Sequence, residues 1–397
     1  MIAASWKARE AAMASAWRWV RMTMPATMGA IAVLAAPPPC RAAAAVEIDI
    51  PVLVPITGFL SLEGISQRNG ALLAIRHAPP GVKVTAEVSD TGTSPEVAVN
   101  ALEKAVSEGK PIAVAASMLG TQMLAMLPVA AGYKIPLVTV SGTAKITELK
   151  NPYVFRFFPG DEVVKLAQAR YAVEILGKKR PAILYQTTAY GQSGVAVLDP
   201  AFKKLGATVV MEEGLDVKVK DMLPILSKVK EAAPDVLILQ LHAGPTALVV
   251  KQAATMGLGI PIVAGSAMHQ PSTAALLEPA ELKGVCAETG SSPVSAETPQ
   301  LKKWLEDYRH AFQTDPDAYA LGEYDGITMV LRAVAEGARS AEEVRAYLAS
   351  KTYKGLAMTY KSDGTGNMAH SAEIICYDGS TRTPRVVKRY ENPGGAP

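Results

Sequence analysis

Ser141, Gly142 and Thr143 stand together in "TVSGTAKIT", directly after the apolar run "KIPLV". Small hydroxyl residues at the carboxyl end of a strand have two uses. They make ordinary turns, or they offer hydroxyls and free backbone N–H groups to an anion where a helix begins. Residues suited to covalent or metal chemistry gather nowhere comparable. The chain has no GxSxG elbow, no HExxH pair, no CxxC pair and no Gly-rich loop ending in Lys-Ser/Thr. Its five histidines, His77, His242, His269, His310 and His370, are scattered without metal-ligand spacing. The chemistry within reach is recognition. No enzyme, catalytic residue, metal site or cofactor is expected.

The elements that must position these hydroxyls alternate. "EIDIPVLVPI" reads as a strand, followed by a helix through Gly64 to Ala78 and a strand "VKVTAEVSD". Next comes a helix that starts with Ser94 as N-cap and Pro95 at its first position. "PIAVAAS", the helix "GTQMLAMLPVAAGY" and "IPLVTV" continue the series, which restarts after "NPYVFRFFPG" with "RPAILYQ", "GATVVMEEG", "PDVLILQ" and "IPIVAGS". Val/Ile/Leu strands alternating with helices predict parallel sheets covered on both faces. "KIPLVTVSGTA" and "IPIVAGSA" echo each other, as two similar doubly wound lobes would. Beyond "LKGVCAETG" the chain turns helical, then ends in short strand-like pieces.

The 397 residues suffice for two domains with real cores, and only 19% are charged. Residues 1–45 stand apart. Lys7, Arg9, Arg18, Arg21 and Arg41 face Glu10 alone, and "MGAIAVLAA" precedes "RAAAAVEI". A basic start, a short apolar run and small residues before a cleavage point describe a secretory signal peptide, too short in its apolar part to span a bilayer. Cleavage between Ala43 and Glu47 is expected, leaving a soluble periplasmic monomer. The net charge of +3 then belongs to the leader, and the remainder carries about −1. No basic stripe interleaves with aromatics, so no nucleic-acid partner is expected. Of three cysteines, Cys40 falls in the leader. Cys286 and Cys376 are expected to be buried and unpaired, as small hydrophobes, although an exported protein permits a disulfide.

The motifs resemble those of the type I periplasmic binding proteins, in particular the leucine/isoleucine/valine-binding branch that serves ABC importers. "PITGFLSLEGISQRNGALLAI", "SDTGTSPEVAVNALEKAVSEG", "IPLVTVSGTAKIT", "YVFRFFPGDE", "AILYQTTAYGQSG" and "IPIVAGSA" carry the resemblance, across about residues 46 to 390. It implies two lobes joined by three hinge crossings, a first lobe of 46–157 plus 287–355, a second of 158–286 plus 356–390, and a tail of 391–397. It also implies closure about that hinge, a ligand outside the carboxyl ends of the strands, and permease and ATPase subunits as membrane partners. A sensor or regulator lobe of the same fold, or an amide- or urea-type binder, is the alternative.

The family's roles carry over position by position. Ser141, Gly142 and Thr143 would hold a ligand carboxylate, aided by the start of the following helix. Leu119 and Gly120 in "SMLGTQ" occupy a loop that binds the same group, and with the usual serine missing any contact at Gly120 must be backbone. Tyr190 in "AYGQ" matches an aromatic lid from the second lobe. Asp161 in "FFPGDE" matches a carboxylate near the ligand ammonium, although a helix N-cap role would account for it alone. Two departures follow. Ser266 replaces the acid that commonly pairs with the ammonium, with Met268 and His269 nearby, and His242 replaces a pocket aromatic. Glu63 could substitute for the missing acid but reads as a solvated helix-start glutamate. The carboxylate half of an amino-acid site is kept and the ammonium half weakened. An aromatic or short organic acid without an α-amine is therefore expected to bind more tightly than leucine, isoleucine or valine.

Overall fold

The computed structural model describes residues 45–295 and 297–395. The leader, Cys40 and the cleavage region up to Ala44 lie outside the described residues. The first series supplies β1 (Val46–Asp49), β2 (Val52–Val54), β3 (Val82–Thr85), β4 (Val88–Asp90), β5 (Val114–Ala116), β6 (Leu137–Thr139) and β7 (Val154–Arg156). Five of them form a parallel sheet of order β4-β2-β5-β6-β7, while β1 and β3 pair separately. The run expected as one strand thus splits in two. Pro51 sits between β1 and β2, and a residue without an N–H cannot continue a ladder on both sides.

The second series supplies β8 (Pro181–Gln186), β9 (Met211–Leu215), β10 (Val236–Gln240), β11 (Ile262–Ala264) and β12 (Val285–Thr289). After three helices come β13 (Tyr353–Lys354), β14 (Thr359–Tyr360), β15 (Ala372–Cys376) and β16 (Arg385–Tyr390). The second sheet runs β16-β15-β12-β11-β10-β8-β9, parallel except for its β15 and β16 edge. The inner strands β2, β5, β6, β10 and β11 are buried at every residue, as strands covered on both faces must be.

The chain passes between the two sheets three times. It leaves the first after Arg156, returns after Thr289, and leaves again after Ala369. Two expected boundaries therefore differ. A division at residue 287 would cut β12, which pairs along its length within the second sheet. A division at 356 would separate Tyr360, Met368 and Ala369 from the first-lobe core they pack in. The first two crossings lie against each other, for a Cβ on Gly290 would come within 2.6 Å of Pro159 Cδ.

Cys286 and Cys376 form a disulfide, against the expectation of two free thiols. They face each other across the antiparallel β12–β15 pair, a register that sequence spacing does not reveal. The bond ties the antiparallel edge to the parallel sheet. Ser94 caps its helix as expected, accepting from Val97 N–H at 3.4 Å.

Candidate ligand-binding site

The hydroxyl cluster sits where β6 ends, facing the second lobe. Ser141 and Thr143 are each 1% exposed, and neither Ser141 Oγ nor Thr143 Oγ1 has a hydrogen-bond partner. Buried hydroxyls are ordinarily paired, and these two stand without partners in one loop. Arg156 fixes the loop from beneath. Fully buried, it donates from Nη1 to the carbonyls of Gly142 at 3.0 Å and Thr143 at 3.1 Å, and from Nη2 to Glu162 and Asn367.

The helix after this loop differs from expectation. It is one turn, Lys145–Glu148, too short for an appreciable dipole, and Ala144 N–H donates instead to Ser193 Oγ of the second lobe at 2.9 Å. The effective helix start is a neighbouring one. Leu119 is the N-cap of the helix Gly120–Tyr133, and a Cβ on Gly120 would lie 2.0 Å from Thr143 Oγ1. A side chain at Gly120 would thus run into the Thr143 side chain.

From the second lobe Tyr190 lines the cavity, its ring 5.2 Å from that of His242, which in turn is 5.4 Å from Phe59. Burial pushes the His242 imidazole down to about 3, so it is neutral. His269, expected near the cleft, is absent from its wall and contacts Ser292 near the hinge at 3.0 Å.

Three acids line the cavity between the lobes, whose wall includes Gly142 of the hydroxyl loop but not Ser141, Thr143, Leu119 or Gly120. Glu63 is not solvated but 1% exposed, and its Oε1 accepts from Ala243 N–H of the second lobe at 2.8 Å. It thereby caps the helix Ala243–Thr255, whose own N-cap, His242, offers no side-chain bond. Asp161 is not the N-cap of its helix; Gly160 is. Both Asp161 oxygens lack hydrogen-bond partners, as does Glu63 Oε2. Burial pushes Glu63 up to about 7, and pushes Asp161 up to about 7 against the pull of Lys165.

The third acid, Glu288 on β12, escaped the sequence reading. Ser266 donates to it twice, from its N–H at 3.0 Å and from Oγ at 2.6 Å, and Lys165 forms an ion pair with it. An acid following the apolar "VCA" of a strand, and a lysine between Val164 and Leu166, were the available signals. Leu60, Met118, Phe158, Val164 and Tyr319 supply the apolar wall, also unforeseen. The lobes close on a cavity of about 20 Å³, counted as space open to a water's centre, room for about one or two waters.

The periplasmic binding protein family profile matches residues 47–378. The chain belongs to that family. These proteins bind solutes and are not enzymes. Among curated relatives, the leucine-, isoleucine-, valine-, threonine- and alanine-binding protein of Pseudomonas aeruginosa is 24% identical over 319 residues, covering 78% of this chain and 84% of the relative. Two solved structures share the binding-protein fold. The branched-chain amino acid transporter substrate binding protein of Streptococcus pneumoniae, in complex with isoleucine, has a TM-score of 0.79 at 22% identity, covering 86% of this chain and 99% of that one. An ABC transporter solute binding protein of Rhodopseudomonas palustris, in complex with 3,4-dihydroxybenzoic acid, has a TM-score of 0.79 at 22% identity, covering 87% and 98%. Among the described residues of this binding protein no helix is long and apolar enough to cross a membrane, and no cluster of His, Cys, Asp and Glu could hold a metal.

Proposed function

We propose that this chain is the extracytoplasmic substrate-binding protein of an ABC importer, which captures a small carboxylate-bearing solute between its lobes and delivers it to a membrane permease. The observation that carries this reading is the pair of orphaned hydroxyls, Ser141 and Thr143, at a strand end beside a helix start. A carboxylate there gains charge-assisted hydrogen bonds and about 0.3–1 kcal/mol or more from the helix terminus. A cavity of about 20 Å³ admits no organic acid, so entry requires the lobes to part. Glu63 and Ser193, each accepting from a backbone N–H of the other lobe, and Gln270, donating to Asp317 across the lobes at 2.6 Å, are contacts that re-form on closure.

The ligand we favour is an acid without an α-amine. Lys165 Nζ lies 4.0 Å from Asp161 Oδ1. A ligand ammonium bonded to Asp161 would be the second cation beside that carboxylate, competing with a lysine already in place. Asp161, held near neutrality by burial, can instead carry a proton and donate to the ligand. Relatives and fold neighbours take both classes, branched-chain amino acids and an aromatic acid. One observation favours the amino-acid reading: neither Asp161 oxygen has a hydrogen-bond partner in the protein. Calorimetric titration with leucine, isoleucine, valine and a panel of aromatic and short organic acids separates the two. The expected result is an amine-free acid binding tightest. Branched-chain amino acids binding tighter than every amine-free acid, with Asp161→Asn abolishing that binding, would contradict it.

A further inference from the structure

We propose that Lys165 is a built-in ammonium that determines ligand class, holding Glu288 so that the cleft selects solutes lacking an α-amine. The inference deepens the carboxylate reading and rests on it. Lys165 lies on the helix Asp161–Arg170 and is fully buried. Its Nζ pairs with Glu288 on β12, stands 3.4 Å from the Tyr190 hydroxyl, and lies 5.2 Å from the centre of the Tyr190 ring. Asp161, one turn back on the same helix, is the other acid facing it, at 4.0 Å.

Glu288 lines the cavity, yet both its oxygens are taken. Oε1 accepts from Lys165 and from Ser266 N–H, and Oε2 from Ser266 Oγ. An acid thus remains beside the position where Ser266 had suggested none, already neutralised from within the protein. Without Lys165, Glu288 would face the cavity as a buried anion lacking a cation, the environment a ligand ammonium requires. Packing alone does not call for the charge. Val163, Val164 and Ala167 are buried near Lys165 on the same helix, where a methionine has a similar unbranched stem. What the ammonium adds is its hold on Glu288, which leaves that acid no free charge for a ligand ammonium.

The test uses matched pairs that differ only in the α-amine: leucine and 4-methylpentanoate, phenylalanine and 3-phenylpropanoate, alanine and propanoate. Calorimetry reads the ratio of amine-free to amine-bearing affinity in the wild type, Lys165→Met and Glu288→Gln. In Lys165→Met the ratio is expected to fall by about tenfold or more, because Glu288 becomes available to the ligand ammonium. In Glu288→Gln it is expected to rise, because the lysine loses its partner. That second variant carries the test should Lys165→Met fail to fold. A ratio unmoved in both, while Thr143→Val still weakens carboxylate binding, overturns the role of Lys165 and leaves the carboxylate reading standing. Affinities indifferent to Thr143→Val, or no binding of any of the six probes, overturn both.

Discussion

Thr143 and Ser141 hold hydroxyls that no protein group satisfies, and this makes their contribution measurable one at a time. A hydrogen bond to a charged group is worth about 1.5–3 kcal/mol. Thr143→Val keeps the shape and removes the donor, so affinity for a carboxylate should fall roughly ten- to a hundredfold by calorimetry. An unchanged value would place the pocket elsewhere. These two residues were legible in the sequence because a hydroxyl–glycine–hydroxyl triplet at a strand end is a local pattern. Glu63, Lys165 and Glu288 were not legible in that way. Whether a charged side chain is solvated or buried depends on which distant surface covers it. Glu63 is covered by the second lobe, while Lys165 and Glu288 meet across 123 residues of sequence.

At the scale of elements, the alternation of strands and helices was readable throughout, while pairing between distant strands was not. The β12–β15 register brings Cys286 to Cys376 across 90 residues. The helix Ala318–Ala335 shows the same limit, since its sequence looks simply apolar with a few acids. It buries Glu323 against Gln67, whose Nε2 donates at 2.9 Å, and Asp325 beneath the N–H groups of Leu356 and Ala357. Burial raises Glu323 from 4.5 to about 8 and Asp325 from 3.8 to about 7. Between those limits the folded protein binds more protons than the unfolded chain, so stability is present at low pH and is lost as pH rises toward 8. For Glu323 alone the loss is roughly 3–5 kcal/mol at most. Melting temperature measured from pH 5 to pH 9 should decline, and Glu323→Gln should flatten the decline by several degrees. Parallel profiles for the two proteins would show that Glu323 ionises normally.

For the whole molecule, the two-lobed plan and the cleft followed from the repeated βα series and the family resemblance. The crossing positions shifted because strand membership is a matter of pairing, not of pattern. The lobes meet through Glu63, Ser193 and the Gln270–Asp317 bond around a cavity of about 20 Å³. The central claim is that the cleft grips a carboxylate. It is tested most directly by thermal shift of the protein at pH 7, comparing the tightest-binding acid from the titration panel with its primary amide. At about 100 times its dissociation constant the acid should stabilise the fold by about 2.7 kcal/mol, while the amide, unable to draw a charge-assisted bond from Ser141 and Thr143, should leave the melting temperature almost unchanged. An amide that stabilises as much as its acid would contradict the account.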